Sequence, residues 1–484
     1  MHFVLGAILF LASSGTVTAP QAVPSTALLR DAVGLIHDGR FDEADEALIR
    51  LEAQRPDDPA PVFFAALVSY WRLLYDDENA ALARTLEERL VRAARIADAA
   101  RPPGAGGAAA LWGGYSRLFL AQFQASRKKT WAAVKEGRAA RRLLGQAAQA
   151  DPASAEPLCG LGTYNYYADR VSAIVKGVRF LLGLPSGDRE LGLDQLEAAA
   201  SRSEYFALEA RLVLAAIYAG RHERLYHSAL QQARKALALE PQSVGVLDAA
   251  ARLYVSLGMP QEAEPLMERA RARAATLAGT DSSVVAALAY QRARAAFTCF
   301  RPDLALQILH PLEQSAASLP TRLRREVSSL TELSRQLVGA GTGGPPDTAS
   351  RGGVVSGLRP EVWNRLQAAL ETERTRGPEA SAAELLELDK QLAGEPAVWM
   401  QTGRALLRSG RAEQALEWLD RADDSHGLPD AWVGPCRILA GQAADLAGRR
   451  QEALERYRRA IKAPAFIERN AAYLYQQSPF HAEP

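Results

Sequence analysis

A recurring spacing of small and apolar residues constrains the fold of this chain more than any other feature. A small residue is followed by an apolar one three positions later, by alanine after twelve, and by apolar or small residues after sixteen and nineteen. One copy consists of Ala251, Tyr254, Ala263, Met267 and Ala270. Offsets near three and four place such side chains along one stripe of a helix. The spacing therefore predicts helices that pack through the same stripe in every copy.

Short polar or glycine-bearing turns divide each copy into two halves. The other copies of the spacing begin at Ala32, Ala293, Gly403 and Gly441. Four of the five turns contain glycine, at Gly39, Gly258, Gly410 and Gly448. Each copy is predicted to be a helix, a tight turn and an antiparallel helix, with the small residues where two backbones approach closely. One such hairpin cannot bury its apolar face alone, so neighbouring hairpins must stack.

This pattern resembles the tetratricopeptide repeat, a helix–turn–helix unit of about 34 residues. Well-matched copies cover 25–58, 244–277, 286–319, 396–429 and 434–467, and degenerate ones cover 109–152 and 205–241. The resemblance implies an all-α, right-handed α-solenoid of tetratricopeptide-type hairpins. It also implies a non-catalytic scaffold that binds a partner protein or peptide on its concave face. The alternative, a bundle of unrelated helical hairpins, does not explain copies that repeat in register.

The sequence divides into regions of different composition. Residues 339–357 read GAGTGGPPDTASRGGVVSG, a composition typical of a flexible linker. We therefore predict an N-terminal solenoid over 25–338 and a C-terminal one over 358–484 that ends in a capping helix. Within the first solenoid, residues 157–200 depart from the repeat, and Asp188 is predicted to be the N-cap of a helix there.

The first residues bear on location. An apolar run from Phe3 to Ala12 precedes small residues at 13–15, a pattern typical of a signal peptide. Residues 1–22 are therefore predicted to be a signal peptide, and the protein to be exported to the bacterial cell envelope or periplasm. The segment lacks the usual Lys or Arg at its start, and without a genuine signal the protein would be cytoplasmic.

The irregular block carries an apolar helical face over residues 171–184, with Lys176 and Arg179 elsewhere on the helix. Two interpretations remain open. The helix packs inside the solenoid as part of an enlarged repeat, which we favour. Alternatively, it lies on a membrane surface with both cations at the headgroups, and the protein is then a membrane-peripheral assembly factor.

Patterns that carry chemistry are missing from the sequence. The cysteines Cys159, Cys299 and Cys436 are far apart and have no metal-ligand spacing. His222 and His227 are five apart, about 140° around a helix, so one helix cannot bring both to one zinc. We therefore predict no catalytic residue, cofactor or metal. The net charge of +1 gives no field that favours nucleic acid.

The residue after the small position of a repeat is expected to face the concave groove, and in several copies it is arginine. Arginine binds carboxylates through two parallel hydrogen bonds, so an acidic partner is predicted. The residues assigned to this groove, with neighbours one turn away, are Arg252, Tyr290, Arg294, Phe297, Met400 and Arg404. The alternative is that these arginines are ordinary exposed side chains. Arg404 lies beyond the predicted linker and need not share a groove with the others.

Overall fold

The computed structural model describes residues 24–100, 107–170, 187–338, 360–392, 394–463 and 469–481. These residues form α-helices and one short 3₁₀ helix, Ala316–Ser318, and they contain no β-strand. The all-α prediction is therefore confirmed. The predicted signal peptide, the predicted linker and the apolar segment 171–184 lie outside the described residues, and those interpretations remain predictions.

Most of the helices follow one another with short connections. In chain order they are α1 (Pro24–His37), α2 (Phe41–Gln54), α3 (Pro59–Tyr75), α4 (Ala80–Ala99), α5 (Gly107–Ser126), α6 (Thr130–Ala150), α7 (Glu156–Asp169), α8 (Arg189–Arg202), α9 (Ala207–Ala219), α10 (Tyr226–Leu239), α11 (Val244–Ser256), α12 (Pro260–Thr276), α13 (Ser282–Thr298), α14 (Pro302–Gln314), α15 (Thr321–Leu337), α16 (Pro360–Arg376), α17 (Pro378–Gln391), α18 (Pro396–Arg408), α19 (Ala412–Asp424), α20 (Asp430–Leu446), α21 (Arg450–Ile461) and α22 (Arg469–Gln477). Asp188 caps α8 as predicted, because its carboxylate accepts the Leu191 N–H at 3.0 Å.

Several turns inside the hairpins share one backbone geometry. Gly39, between α1 and α2, has a φ of +71°, and the next N–H, of Arg40, donates to the Leu35 carbonyl at 2.9 Å. The same left-handed glycine and the same backward hydrogen bond recur at Gly258, Gly410 and Gly448. Glycine adopts this conformation without steric cost, which explains its place in the predicted turns.

Two further turns have this geometry without glycine. Lys128, between α5 and α6, and Phe300, between α13 and α14, each have a φ of +60°. For a residue with a Cβ this conformation costs about 1–2 kcal/mol. Phe300 offsets that cost by burying its ring against Trp432, with the ring centroids 5.5 Å apart and the rings edge to face.

The small residues of the repeat mark close approaches between paired helices, as predicted. A Cβ built on Gly441 of α20 would lie 2.3 Å from the Tyr457 ring of α21. A Cβ on Gly403 of α18 would lie 2.5 Å from Leu419 Cγ of α19. Both contacts join residues sixteen positions apart, which is the spacing that defines the repeat.

Ion pairs hold successive hairpins in register. They join residues of α19 to residues of α21, or to Arg449 just before α21. In each pair the two residues are 36 positions apart in the sequence. The pairs are Glu413–Arg449 at 2.5 Å, Asp420–Arg456 at 2.7 Å and Asp423–Arg459 at 2.7 Å. A constant separation close to the repeat length means that the second helices of neighbouring repeats lie side by side with equivalent residues at equivalent heights.

The described chain divides into two compact units. Unit 1 comprises the described residues up to Ala250, Pro265–Leu288 and Ser318–Leu323. Unit 2 comprises Ala251–Glu264, Ala289–Ala317 and the described residues from Arg324 onward. The division predicted at residues 339–357 stays a prediction, because that segment is not described.

The core of unit 1 contains a cluster of buried ionisable groups on α5, α7 and α9. The Tyr115 hydroxyl donates to the Glu156 carbonyl at 2.6 Å, and Cys159 is buried close by. The Glu156 carboxylate accepts the Ser203 hydroxyl at 2.7 Å and the Tyr205 N–H at 3.2 Å. Glu209 is fully buried, and within the described residues neither of its carboxylate oxygens has a hydrogen-bond partner.

Burial dominates the electrostatics of this cluster. It raises the pKa of the Glu209 carboxyl well above its usual range, with a smaller contribution from the neighbouring Glu156. It also raises the pKa of Glu156 to about 7, although hydrogen bonds from Ser203 and Tyr205 oppose the shift. Desolvation penalises a charged carboxylate, so burial favours the neutral form of Glu209.

We predict that Gly441→Ala lowers the free energy of unfolding by about 1–3 kcal/mol, because the Tyr457 ring cannot retreat. That ring is fully buried and its hydroxyl donates to Asp445 at 2.8 Å. Gly34→Ala in α1 is the matched control, since no atom lies within 4 Å of its added Cβ. We expect the control to be neutral or stabilising by up to about 1 kcal/mol in urea unfolding. Equal destabilisation by both substitutions would contradict the close-approach interpretation.

We predict that Glu209→Gln stabilises the protein, and more so at high pH. The folded-state pKa of Glu209 is raised, so wild-type stability is highest below the unfolded pKa and falls as the pH rises through the folded value. The glutamine amide does not titrate, so the variant lacks this dependence of stability on pH. Urea unfolding at pH 5 and pH 8 measures the difference, with the exposed Glu88→Gln as control. A stability gain that is the same at both pH values would exclude this cause.

Candidate functional site

The residues predicted to line a partner groove lie on three helices. All six of these residues belong to unit 2. Arg252 is on α11, Tyr290, Arg294 and Phe297 are on α13, and Met400 and Arg404 are on α18. Arg252, Tyr290 and Arg294 are half-buried, whereas Phe297, Met400 and Arg404 are buried. Only the first three therefore present substantial surface to a partner. The partner-binding role of the six residues remains a prediction.

Arg404 already holds a carboxylate that belongs to the chain. Its Nη1 donates to Glu373 Oε1 at 3.2 Å, its Nη2 donates to Glu373 Oε2, and its Nε donates to Gln401 at 2.7 Å. The guanidinium carbon also lies 5.6 Å from the centroid of the Phe300 ring. Arg408 adds a hydrogen bond to Glu373 at 2.5 Å. This is a two-pronged arginine–carboxylate pair, almost completely buried in unit 2.

Arg294 occupies the same position of its repeat but lacks such a partner. It follows Ala293 as Arg404 follows Gly403. Its Nε is buried, and within the described residues this donor has no hydrogen-bond partner. The carboxamide oxygen of Gln291, one turn earlier, is likewise buried without a partner there. A buried donor left unsatisfied costs about 1–3 kcal/mol, which a ligand that accepts the hydrogen bond would recover.

A groove that the sequence analysis missed lies in unit 1, between α6 and α8 and above α7. It has a volume of about 900 Å³. We call it the α6 groove, after the helix that supplies most of its lining. Its cationic residues are Lys135, Arg138, Arg141 and Arg142, and its exposed apolar residues are Trp131 and Leu191. The sequence carries a signal for it, because Trp131, Lys135, Arg138 and Arg142 repeat at offsets of three and four.

The segment between Asp169 and Arg189, in which the interfacial helix was predicted, is flanked by a half-buried ion-pair cluster. Glu223 accepts hydrogen bonds from Arg170 at 2.6 Å, from Arg189 Nε at 2.9 Å and from the Tyr166 hydroxyl at 3.0 Å. The hydrogen bond from Arg189 is the largest cause of a lowered pKa at Glu223. One carboxylate thus holds both ends of the segment. The interfacial helix itself stays a prediction, and among the described helices none has the length and apolar character needed to cross a bilayer.

The described cysteines offer no activated nucleophile. Burial raises the pKa of the Cys159 thiol well above its usual range, and it raises the pKa of Cys299 to about 12. A reactive cysteine needs the opposite shift, toward the thiolate. The described residues also contain no cluster of His, Cys, Asp and Glu that could hold a metal ion.

Comparison with known proteins gives similarity to solved structures only. No protein-family model matches the chain, and no curated protein does. A Rap protein complexed with competence and sporulation factor is 13% identical, with 93% of this chain and 98% of that chain covered and a TM-score of 0.32. A tetratricopeptide repeat protein from Parabacteroides merdae is 13% identical, with coverage of 64% and 98% and a TM-score of 0.31. PilF from Pseudomonas aeruginosa is 15% identical, with coverage of 53% and 91% and a TM-score of 0.21.

Likenesses at these identities and TM-scores carry no argument about what the chain binds. The fold assignment rests on the hairpins themselves: their glycine turns, their close approaches sixteen residues apart and their ion pairs 36 residues apart. By these features the chain is an all-α protein of helical hairpins that resemble the tetratricopeptide repeat.

Proposed function

We propose that this protein is a non-catalytic interaction scaffold that binds a carboxylate-bearing protein or peptide at the surface formed by Arg252, Tyr290 and Arg294. The observation that carries this proposal is the half-buried side chain of Arg294, whose Nε has no acceptor within the described residues. Arginine presents its donors in a rigid fork that matches a carboxylate, so the ligand would be an acidic side chain or a chain terminus.

The pair between Arg404 and Glu373 supports this proposal by analogy within the molecule. The same repeat position carries arginine in both copies, and in one copy the chain itself supplies the carboxylate. At Arg294 a partner would supply it. The half-buried ring of Tyr290, one turn before Arg294, offers an apolar and hydrogen-bonding surface beside the charge.

We propose further that the scaffold acts in the bacterial cell envelope, on the basis of the predicted signal peptide. The expected mature chain begins after Gly15, Ala19 or Ala22. Expression with a C-terminal tag, fractionation of the cells and N-terminal sequencing of the purified protein test this. A full-length chain that keeps Met1 and stays in the cytoplasm would refute export.

For the binding surface, we predict that Arg252→Ala combined with Arg294→Ala lowers partner affinity by roughly tenfold or more without unfolding the chain. Each lost charge-assisted hydrogen bond is worth about 1.5–3 kcal/mol. Affinity capture from the cell envelope with wild-type and variant bait identifies the partner, and calorimetric titration with that partner then measures the loss.

Two controls separate binding from stability. Arg292→Ala removes a charge from α13 outside the predicted surface and should leave the affinity unchanged. Arg404→Ala leaves the buried Glu373 with only Arg408, so it should destabilise the fold by about 3 kcal/mol or somewhat less. Unchanged affinity in the variant lacking Arg252 and Arg294 would remove this surface from consideration.

A further inference from the structure

The α6 groove is a concentration of unneutralised positive charge. Lys135, Arg138 and Arg142 are exposed, Arg141 is half-buried, and none of the four forms an ion pair within the described residues. Among the described residues that line the groove there is no Asp or Glu. The acidic residue of α6, Glu136, is held elsewhere by Arg117 at 2.9 Å. Other arginines of the described chain, such as Arg117 and Arg404, form ion pairs with acidic residues.

One end of the groove is apolar. Trp131 is 63% exposed and Leu191 is 45% exposed, although both are large hydrophobic side chains. Both α6 and α8 run antiparallel to α7: Gly137 lies opposite Tyr164, and Gly192 lies opposite Tyr166. The two outer helices therefore begin at the same end of the groove. Trp131 and Leu191 stand at that end, and the cations follow along α6.

Amide side chains complete the lining. Asn165 on the floor donates to Gln195 on α8 at 2.8 Å, which fixes both side chains. Gln146 and Gln149 continue the lining beyond the last arginine of α6. These groups offer neutral donors and acceptors suited to a peptide backbone.

We propose that the α6 groove binds an acidic polypeptide segment that carries an apolar side chain beside its acidic residues. The apolar side chain rests between Trp131 and Leu191, and the carboxylates pair with Lys135, Arg138 and Arg142. These cations are three and four positions apart, or about 4.5 Å and 6 Å along the helix axis. Carboxylates at similar spacing on a partner helix would meet them in turn. This site is independent of the surface around Arg294.

Charge distribution favours a polypeptide over a nucleic acid. The cations line the α6 side alone. On α8 the exposed Glu190 and Asp194 each precede a lining residue, so that wall does not attract phosphates. The net charge of the whole chain is +1, which gives no general attraction for a polyanion. A segment with acidic residues on one face pairs that face with the cations of α6 and places its other face against α8.

Fluorescence anisotropy with the full chain tests this proposal. The probe is a fluorescein-labelled synthetic peptide of alternating glutamate and alanine with one leucine. The comparison probes are the same peptide with glutamine for glutamate and a labelled single-stranded oligothymidylate.

We expect the glutamate peptide to bind most tightly and its affinity to fall with added NaCl. Arg138→Gln with Arg142→Gln should lower that affinity by about tenfold or more. Trp131→Ala should lower it by about threefold to tenfold.

Arg84→Gln with Arg95→Gln is the matched control, because it removes the same charge from exposed positions of α4 in the same unit. It should retain wild-type affinity for the glutamate peptide. Circular dichroism checks that every variant is folded. The proposal is overturned if wild type fails to prefer the glutamate peptide to the glutamine peptide. It is also overturned if both double variants lose affinity equally, or if the oligothymidylate binds more tightly and displaces the peptide.

Discussion

The close approach of two helix backbones within each hairpin is the constraint on which the rest of this structure depends. At Gly441 the two helices are so close that the Tyr457 ring occupies the space a Cβ methyl group would need. Helices this close leave their remaining apolar stripe uncovered, and only the next hairpin can cover it. The ion pairs between residues 36 positions apart then fix the height at which the next hairpin packs along that stripe. Turn glycines, small residues and ion pairs are thus successive consequences of one geometric requirement.

Arginine has several roles on this scaffold, and its surroundings decide which. Where the fold supplies a carboxylate, as Glu373 does for Arg404, the guanidinium becomes part of the core. Glu223 similarly gathers Arg170 and Arg189. Where no carboxylate of the described residues pairs with the arginine, as at Arg294 and along α6, we propose that the same side chain recognises a partner. On that proposal, the positions of the carboxylates decide which arginines are available as much as the positions of the arginines do.

The buried cluster around Glu209 shows that the scaffold also contains groups whose burial costs free energy. A carboxyl group without a hydrogen-bond partner in a closed core is tolerated because it can keep its proton. Its neighbour Glu156 is placed differently, since its carboxylate binds the residues that precede α9 and so ties α7 to the next hairpin. One acidic side chain therefore organises the connection between repeats, while the other makes their packing sensitive to pH.

The sequence by itself determined the helical hairpin, its turns and its close approaches, because these depend on residues at most sixteen or nineteen positions apart in a regular helix. It also placed the N-cap at Asp188 correctly. It did not determine which arginines are available to a partner, since Arg404 and Arg294 occupy the same repeat position but differ in burial and in whether a distant carboxylate reaches them. Nor did it reveal the α6 groove, although the spacing along α6 was visible. Only the tertiary structure set α8 beside α6 and left the cations between them unpaired, because pairing depends on distances in space that no local pattern encodes.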